Sequence, residues 1–259
     1  MISKMYCIAL TVVASFVLSS AASATCSNAP LSGTYGFIDG GTISSDTPTT
    51  IVGQATFDST TATFKGTETV SQDGKVGPVS FTGTYAKPSN CTVMGTVTVN
   101  GKTNPVYFVV TSTGVLFVNG KTGQTTGGFG IAQGSSTCTN ATIKGGFGLE
   151  ATGVFLTGAP ATAGPVHFIG ELALTVNSSG DGVISGEMAG SEDGTIFAEE
   201  PVEGSYAVNA VNTDCIGTFS ITPGGKSALN FSFVIVNGGK ELLAIENDEH
   251  TVVSGTLQR

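Results

Sequence analysis

His167 and His250 are the only imidazoles in this 259-residue chain, so any Ser-His-Asp or Cys-His chemistry would have to run through one of them. Neither stands near a Gly-x-Ser-x-Gly turn, the strained elbow that exposes a nucleophilic serine. His250 closes the run Glu246-Asn247-Asp248-Glu249, a density of donors that could serve a metal ion. Rich in Asn and Asp, the same run reads more naturally as a polar turn between the last two strands. Glu192-Asp193 forms a second acidic pair. Neither group has the alternating spacing of a dedicated calcium loop, so calcium is expected to bind weakly and without stoichiometry. Glu199, Glu200 and Glu203 flank Pro201. A glycosidase holds two carboxylates about 5 or 6.5–9.5 Å apart, and these three read instead as a solvated loop. The glycine-rich stretch from Gly123 to Gly134 lacks the Lys-Ser/Thr ending and the following helix of a phosphate loop. The residue types therefore supply no catalytic constellation, no cofactor motif and no metal site, and the reading leans away from an enzyme.

The five cysteines carry a different chemistry. None lies within four residues of another, which excludes the ligand spacing of a structural zinc site. Cys7 belongs to a segment, residues 1–24, that reads as a secretory signal peptide. Lys4 supplies the positive end, Met5 to Val17 the apolar stretch, and Ala22-Ser23-Ala24 the small-x-small cleavage pattern. The apolar stretch falls short of the roughly 20 residues a membrane-spanning helix needs, and no membrane span is expected. Four cysteines then remain, with three possible pairings.

An internal repeat favours one pairing. Cys26-Ser-Asn recurs as Cys138-Thr-Asn, and Gly33-Thr-Tyr-Gly-Phe as Gly145-Gly-Phe-Gly-Leu. Phe81-Thr-Gly-Thr-Tyr-Ala recurs as Val202-Glu-Gly-Ser-Tyr-Ala, and each is followed by a cysteine, Cys91 and Cys215. Pairing within copies, Cys26–Cys91 and Cys138–Cys215, closes both units the same way. Such bonds persist in oxidising compartments, so the protein is expected to be secreted or periplasmic.

The repeat also sets the organisation: signal peptide 1–24, first repeat 25–137 and second repeat 138–259. Each copy is long enough to bury its own core, and the two are expected to fold as separable units. Abundant glycine (37 residues) and a preference for Thr, Val and Phe suit strands and tight turns. In the first copy, strands are expected near 33–39, 51–58, 61–71, 77–86, 90–100, 105–112, 114–121 and 125–133, with Asn100-Gly101 and Asn119-Gly120 as tight hairpin turns. The second copy repeats the scheme with insertions at turns, such as Asn177-Ser-Ser-Gly-Asp-Gly.

Eight strands joined by hairpins imply an up-and-down sheet, and closure removes its exposed edges. The expected fold is all-β: two tandem eight-stranded antiparallel up-and-down β-barrels, each with one disulfide, with an open sandwich as the alternative. In such a barrel the first and fifth strands start at the same end on opposite walls. The residues between Cys26 and Gly33 can span about 20 Å at ~3.3 Å each, so each N-terminal segment should lie across one barrel mouth, pinned by its disulfide.

Charge separates the copies. The first carries five acids (Asp39, Asp46, Asp58, Glu68, Asp73) and five lysines, whereas the second carries fourteen acids against three lysines and Arg259. Nucleic acid is excluded as a partner, because phosphate binding needs a positive field. The acidic surface reads as solvation of a chain in which only 11% of residues are charged.

The Gly-x-Tyr-x-Phe pattern at Gly33, Gly83-Thr-Tyr followed by Cys91-Thr, and the closing stretch from Phe231 to Glu246 with Thr251-Val-Val-Ser-Gly-Thr resemble secreted bacterial proteins with allene oxide cyclase barrel-like, calycin-type repeats. The wider superfamily includes allene oxide cyclases and dirigent proteins, which guide reactive small molecules to one product. The resemblance implies the barrel fold and carries over no catalytic residue. An eight-stranded barrel is either filled by side chains or holds one small ligand. The expected role is thus non-enzymatic: binding of a small apolar ligand, or a surface or structural role. A cofactor-free cyclase or isomerase acting on an apolar substrate in the barrel is the alternative. A filled interior in both barrels would rule out ligand carriage and cyclisation together.

Overall fold

In each repeat, apolar and polar residues alternate along most segments, so one face of each such strand must be turned away from water, while residues 233–236 and 242–245 are apolar on both faces. The computed structural model describes residues 31–43, 47–86, 91–120, 123–134, 137–159, 163–209 and 215–259. The signal segment 1–24 and Cys26 lie outside these. The first repeat forms β1 (Gly33–Ile43), β2 (Thr47–Asp58), β3 (Thr63–Gln72), β4 (Lys75–Tyr85), β5 (Thr92–Val99), β6 (Lys102–Val110), β7 (Gly114–Asn119) and β8 (Gln124–Ala132). The second forms β9 (Gly145–Phe155), β10 (Gly164–Val176), β11 (Gly182–Glu192), β12 (Thr195–Val208), β13 (Ile216–Pro223), β14 (Leu229–Val236), β15 (Glu241–Glu246) and β16 (Thr251–Gln258).

Both sheets close. Each strand pairs antiparallel with its sequence neighbour, β1 also pairs with β8, and β9 with β16. The open sandwich is thereby set aside. Asn100-Gly101 makes its turn with both residues at positive φ, as a tight hairpin requires.

The two interiors differ. Among the described residues the second barrel gathers 25 buried residues around Phe147, Phe155, Phe168, Phe231 and Phe233, and the first gathers 12. A third cluster lies between the barrels and joins two units that each close on a core of their own. Ile38 and Val52 on the outer face of β1 and β2 pack against Val234, Val236, Leu243 and Ile245 on β14 and β15, all four of which are fully excluded from solvent. Alternation explains the arrangement. Even and odd residues of one strand face opposite ways, so β15 sends Leu242 and Ala244 into its own barrel and Leu243 and Ile245 into the neighbour. Hydrogen bonds between turns add to the joint: His250 N–H to Gly74 O (2.9 Å), Ser71 Oγ to Thr251 O (2.7 Å) and Gly238 N–H to Gln133 O (2.8 Å).

One disulfide is present among the described residues, Cys138–Cys215, with Cα atoms 5.1 Å apart. It ties the segment joining the barrels to the residue just before β13. The expected arrangement of one bond per barrel is therefore seen for a single pair, and Cys26–Cys91 is not placed because Cys26 lies outside the described residues. The crossing segment itself is visible in the second barrel. A 3-10 turn, Asn140–Ile143, seats Ile143 completely inside. It is held by Tyr206 Oη donating to Asn140 O (3.0 Å) and Val208 N–H donating to Asn140 Oδ1 (2.8 Å). The first barrel repeats the device, with Leu31 buried and Tyr85 Oη donating to Leu31 O (2.8 Å).

Candidate functional site

The inward phase of β1 runs Tyr35, Phe37, Asp39, and that of β3 runs Phe64, Gly66, Glu68. Two acids thus enter a largely apolar barrel. They border a cavity of about 120 Å³ whose wall includes Phe37, Phe57, Phe64, Phe81, Phe108 and Phe117. The rings brace one another: Phe57 stacks on Phe64 (centroids 5.2 Å apart), and Phe37 meets Phe117 edge-on at 5.7 Å. Gly53 pairs opposite both Phe37 and Glu68, where a methyl group would come within 2.8 Å of Glu68 Cβ. A residue without a side chain there makes room for both.

Asp39 is 7% exposed and receives hydrogen bonds from Gly40 N–H, the Thr126 hydroxyl and Gly127 N–H, while its Oδ1 has no partner. Burial pushes its carboxyl up to about 6, against these three bonds, which favour the ionised form. Glu68 is pushed up to about 7, first by burial and then by the charge of Asp39. Tyr35 at the same wall is also raised by burial. Among the described residues no Lys, Arg or His borders the cavity, and Asn119 is its remaining polar neighbour. Two carboxyls titrating near neutrality in an apolar cavity can hold a cationic or hydrogen-bonding group, or transfer a proton.

The register identifies the counterparts of these residues. Gly170 takes the place of Gly53, with Leu149 and Met188 as its partners. Glu68 thereby corresponds to Met188, and Asp39 to Ala151, which pairs with Phe168 as Asp39 pairs with Ile51. Both counterparts are buried in the second barrel's core. Asn119 corresponds to Glu246, because Ala244 pairs with Phe233 as Phe117 pairs with Phe108. Glu246 is wholly buried, and burial first, then the charge and side-chain interaction of Asp248 and the charge of Glu192, push its carboxyl up to about 9. Asp248 is itself committed to Asn230, accepting from its N–H (2.9 Å) and its Nδ2 (2.8 Å).

None of the residues singled out by sequence enters the cavity. His167 is exposed on the outer face of β10, and His250 occupies the β15–β16 turn at φ 64°. Glu199, Glu200 and Glu203 do not form a loop: they lie in β12, where the register shifts opposite Met188 and Gly190 and Glu199 takes φ 53°. An extra residue in one strand is absorbed as a bulge, and this is why a charged, proline-containing segment remains paired. Lys226 Nζ lies 3.5 Å from both Glu192 and Glu200 and 3.6 Å above the Phe197 ring. Among the described residues no three His, Cys, Asp or Glu side chains are grouped to hold a metal ion, and no helix is long and apolar enough to cross a membrane. The acids that matter were legible only as a break in pattern, each being one charged residue in the inward phase of an aromatic strand.

Neither a protein-family model nor a curated protein sequence matches this chain. Among solved structures, a protein of unknown function from the DUF3598 family of Nostoc punctiforme is similar at 9% identity and a TM-score of 0.27, over 88% of this chain and 96% of that one. A porin-like protein from Bacteroides uniformis is similar at 8% identity and a TM-score of 0.19, over 86% and 95%. At such scores neither likeness bears on the function of this chain.

Proposed function

We propose that this is an exported protein whose first barrel binds one small, largely apolar molecule and whose second barrel is a filled structural partner. The carrying observation is the aromatic cavity of about 120 Å³ in the first barrel. An engineered cavity of roughly 150 Å³ binds benzene, so a molecule of that size is the right scale. The resemblance to allene oxide cyclase barrel-like repeats supports the same reading, and the disulfide supports an oxidising compartment. Native mass spectrometry of the mature protein after exposure to a culture extract tests it. The wild type should retain a molecule that Ala55→Leu, which fills the cavity, does not. Equal retention by both would end the reading.

A cofactor-free cyclase or isomerase is the second reading, favoured by the pairing of Asp39 and Glu68 in that cavity. A proton donor and acceptor near neutral pH is what such chemistry requires. If it holds, the retained molecule is converted, and Asp39→Asn abolishes conversion while leaving retention intact.

A further inference from the structure

The first-barrel cavity has a charge problem that its own residues do not solve. Asp39 Oδ1 is buried without a partner, Glu68 stands on the same wall, and no basic side chain among the described residues borders the space. Below neutral pH the two carboxyls relieve this by keeping their protons. Once ionised in apolar surroundings they repel each other and have lost their hydration, which a bound cation offsets. The aromatic rings add a second attraction for a cation, through their electron-rich faces. The second barrel removes the problem at the same positions with Ala151 and Met188. Retaining both acids in one copy alone is therefore a property of that cavity and not of the barrel. We propose that the cavity takes a small primary ammonium compound, its apolar body among Phe57, Phe64 and Phe108 and its ammonium between Asp39 and Glu68. The inference rests on the ligand-binding reading above.

Calorimetric titration at pH 8 with benzylamine, benzyl alcohol and toluene, which share one body, tests the two separately. Benzylammonium should bind at least about tenfold more tightly than either neutral probe, the scale of a desolvated charge-assisted contact. In Asp39→Asn/Glu68→Gln that advantage should vanish while toluene binding persists, with circular dichroism confirming the fold. Equal binding of all three probes overturns ammonium recognition and leaves the apolar cavity standing, and tightest binding of benzyl alcohol overturns it in favour of a neutral donor. Binding of none overturns the cavity reading itself.

A different observation carries a second inference. Met94, Tyr107, Val109, Leu116 and Val118 form one exposed apolar patch on the outer face of β5–β7. Val109 pairs with Leu116 as Val234 pairs with Leu243, and Tyr107 with Val118 as Ser232 with Ile245. The patch is thus the counterpart of the face by which the second barrel docks on the first, and it runs on through the Leu116–Phe129 pair into that joint. The complementary face of the second barrel is no match for it: Ile38, Phe129 and Ile131 are replaced by Glu150, Thr256 and Gln258. Head-to-tail growth is therefore disfavoured. We infer that two copies of the chain pair patch to patch about a two-fold axis. Sedimentation of the mature protein should show a dimer at micromolar concentration, and Leu116→Lys/Val118→Glu should give a folded monomer. A monomeric wild type overturns the pairing; one that also floats with lipid vesicles assigns the patch to a membrane surface instead.

Discussion

Gly36 on β1 lies directly beneath Val236 on β14: a methyl group at Gly36 would come within 2.5 Å of Val236 Cγ1 and 2.8 Å of Val234 Cγ2. The two barrels meet at van der Waals distance because this position carries no side chain. Gly36→Val should push the faces apart at a cost of about 1–3 kcal/mol, the usual range for overpacking. Calorimetry should show one unfolding transition for the wild type that broadens or divides in the variant, and an unchanged melting profile would contradict the joint as described.

The fragment 138–259 expressed alone exposes Val234, Val236, Leu243 and Ile245. It should aggregate or bind a hydrophobic dye strongly. Replacing Val234, Val236 and Leu243 by threonine in that fragment should restore a monodisperse β protein, since these side chains face away from its own core. A wild-type fragment that stays monomeric and does not bind dye would show that the barrels need no partner.

Asp39, Glu68 and Glu246 all hold their protons more tightly in the folded protein than in the unfolded chain. The folded state therefore binds more protons at intermediate pH, and stability falls as pH rises. The fall begins near the ordinary carboxyl range, ends near 7 for the cavity pair and continues to about 9 for Glu246. Glu246→Gln should remove the upper part, making the variant more stable at pH 9 by on the order of a few kcal/mol, since each tenfold change in proton affinity is worth about 1.4 kcal/mol. Urea denaturation at pH 5, 7 and 9 reads this directly, and a wild type equally stable at all three values is incompatible with it.

Peptide mapping without reduction should give Cys138–Cys215 and, as the repeat implies, Cys26–Cys91. Each closes a long loop, worth about 4 kcal/mol in the loop-entropy account. Reduction should lower the melting temperature accordingly. A crosslinked peptide joining Cys26 or Cys91 to the second copy would refute the pairing.

Tyr85→Phe removes the hydroxyl that holds Leu31 across the first barrel mouth, and Tyr206→Phe the one that holds Asn140 across the second. Each should cost about 1–2 kcal/mol, the scale of a hydrogen bond lost from a buried carbonyl. Hydrogen exchange should quicken first in residues 137–144 for Tyr206→Phe.

The strands, their number and the Asn100-Gly101 hairpin were legible in the sequence because they depend on local causes, period-two alternation and an Asn-Gly pair at a turn. Asn119-Gly120 is not such a turn, since Gly120 N–H still bonds Pro105 O and β8 starts only at Gln124. The duplication itself was legible too, and with it the Cys138–Cys215 pairing, since equivalent residues in equivalent folds meet equivalent partners. Closure of both sheets followed from the cost of open edges. What only the tertiary structure decided is which side of each strand faces which neighbour. Residues 242–245 and 115–118 are both unbroken apolar runs, yet Leu243 and Ile245 are buried by the other barrel while Leu116 and Val118 at the matching positions are exposed. Asp39 and Glu68 are distant in sequence and ordinary in composition. They become a pair because barrel closure turns both strands inward onto one cavity, where the loss of water, and not the identity of the residues, gives the carboxyls their chemistry.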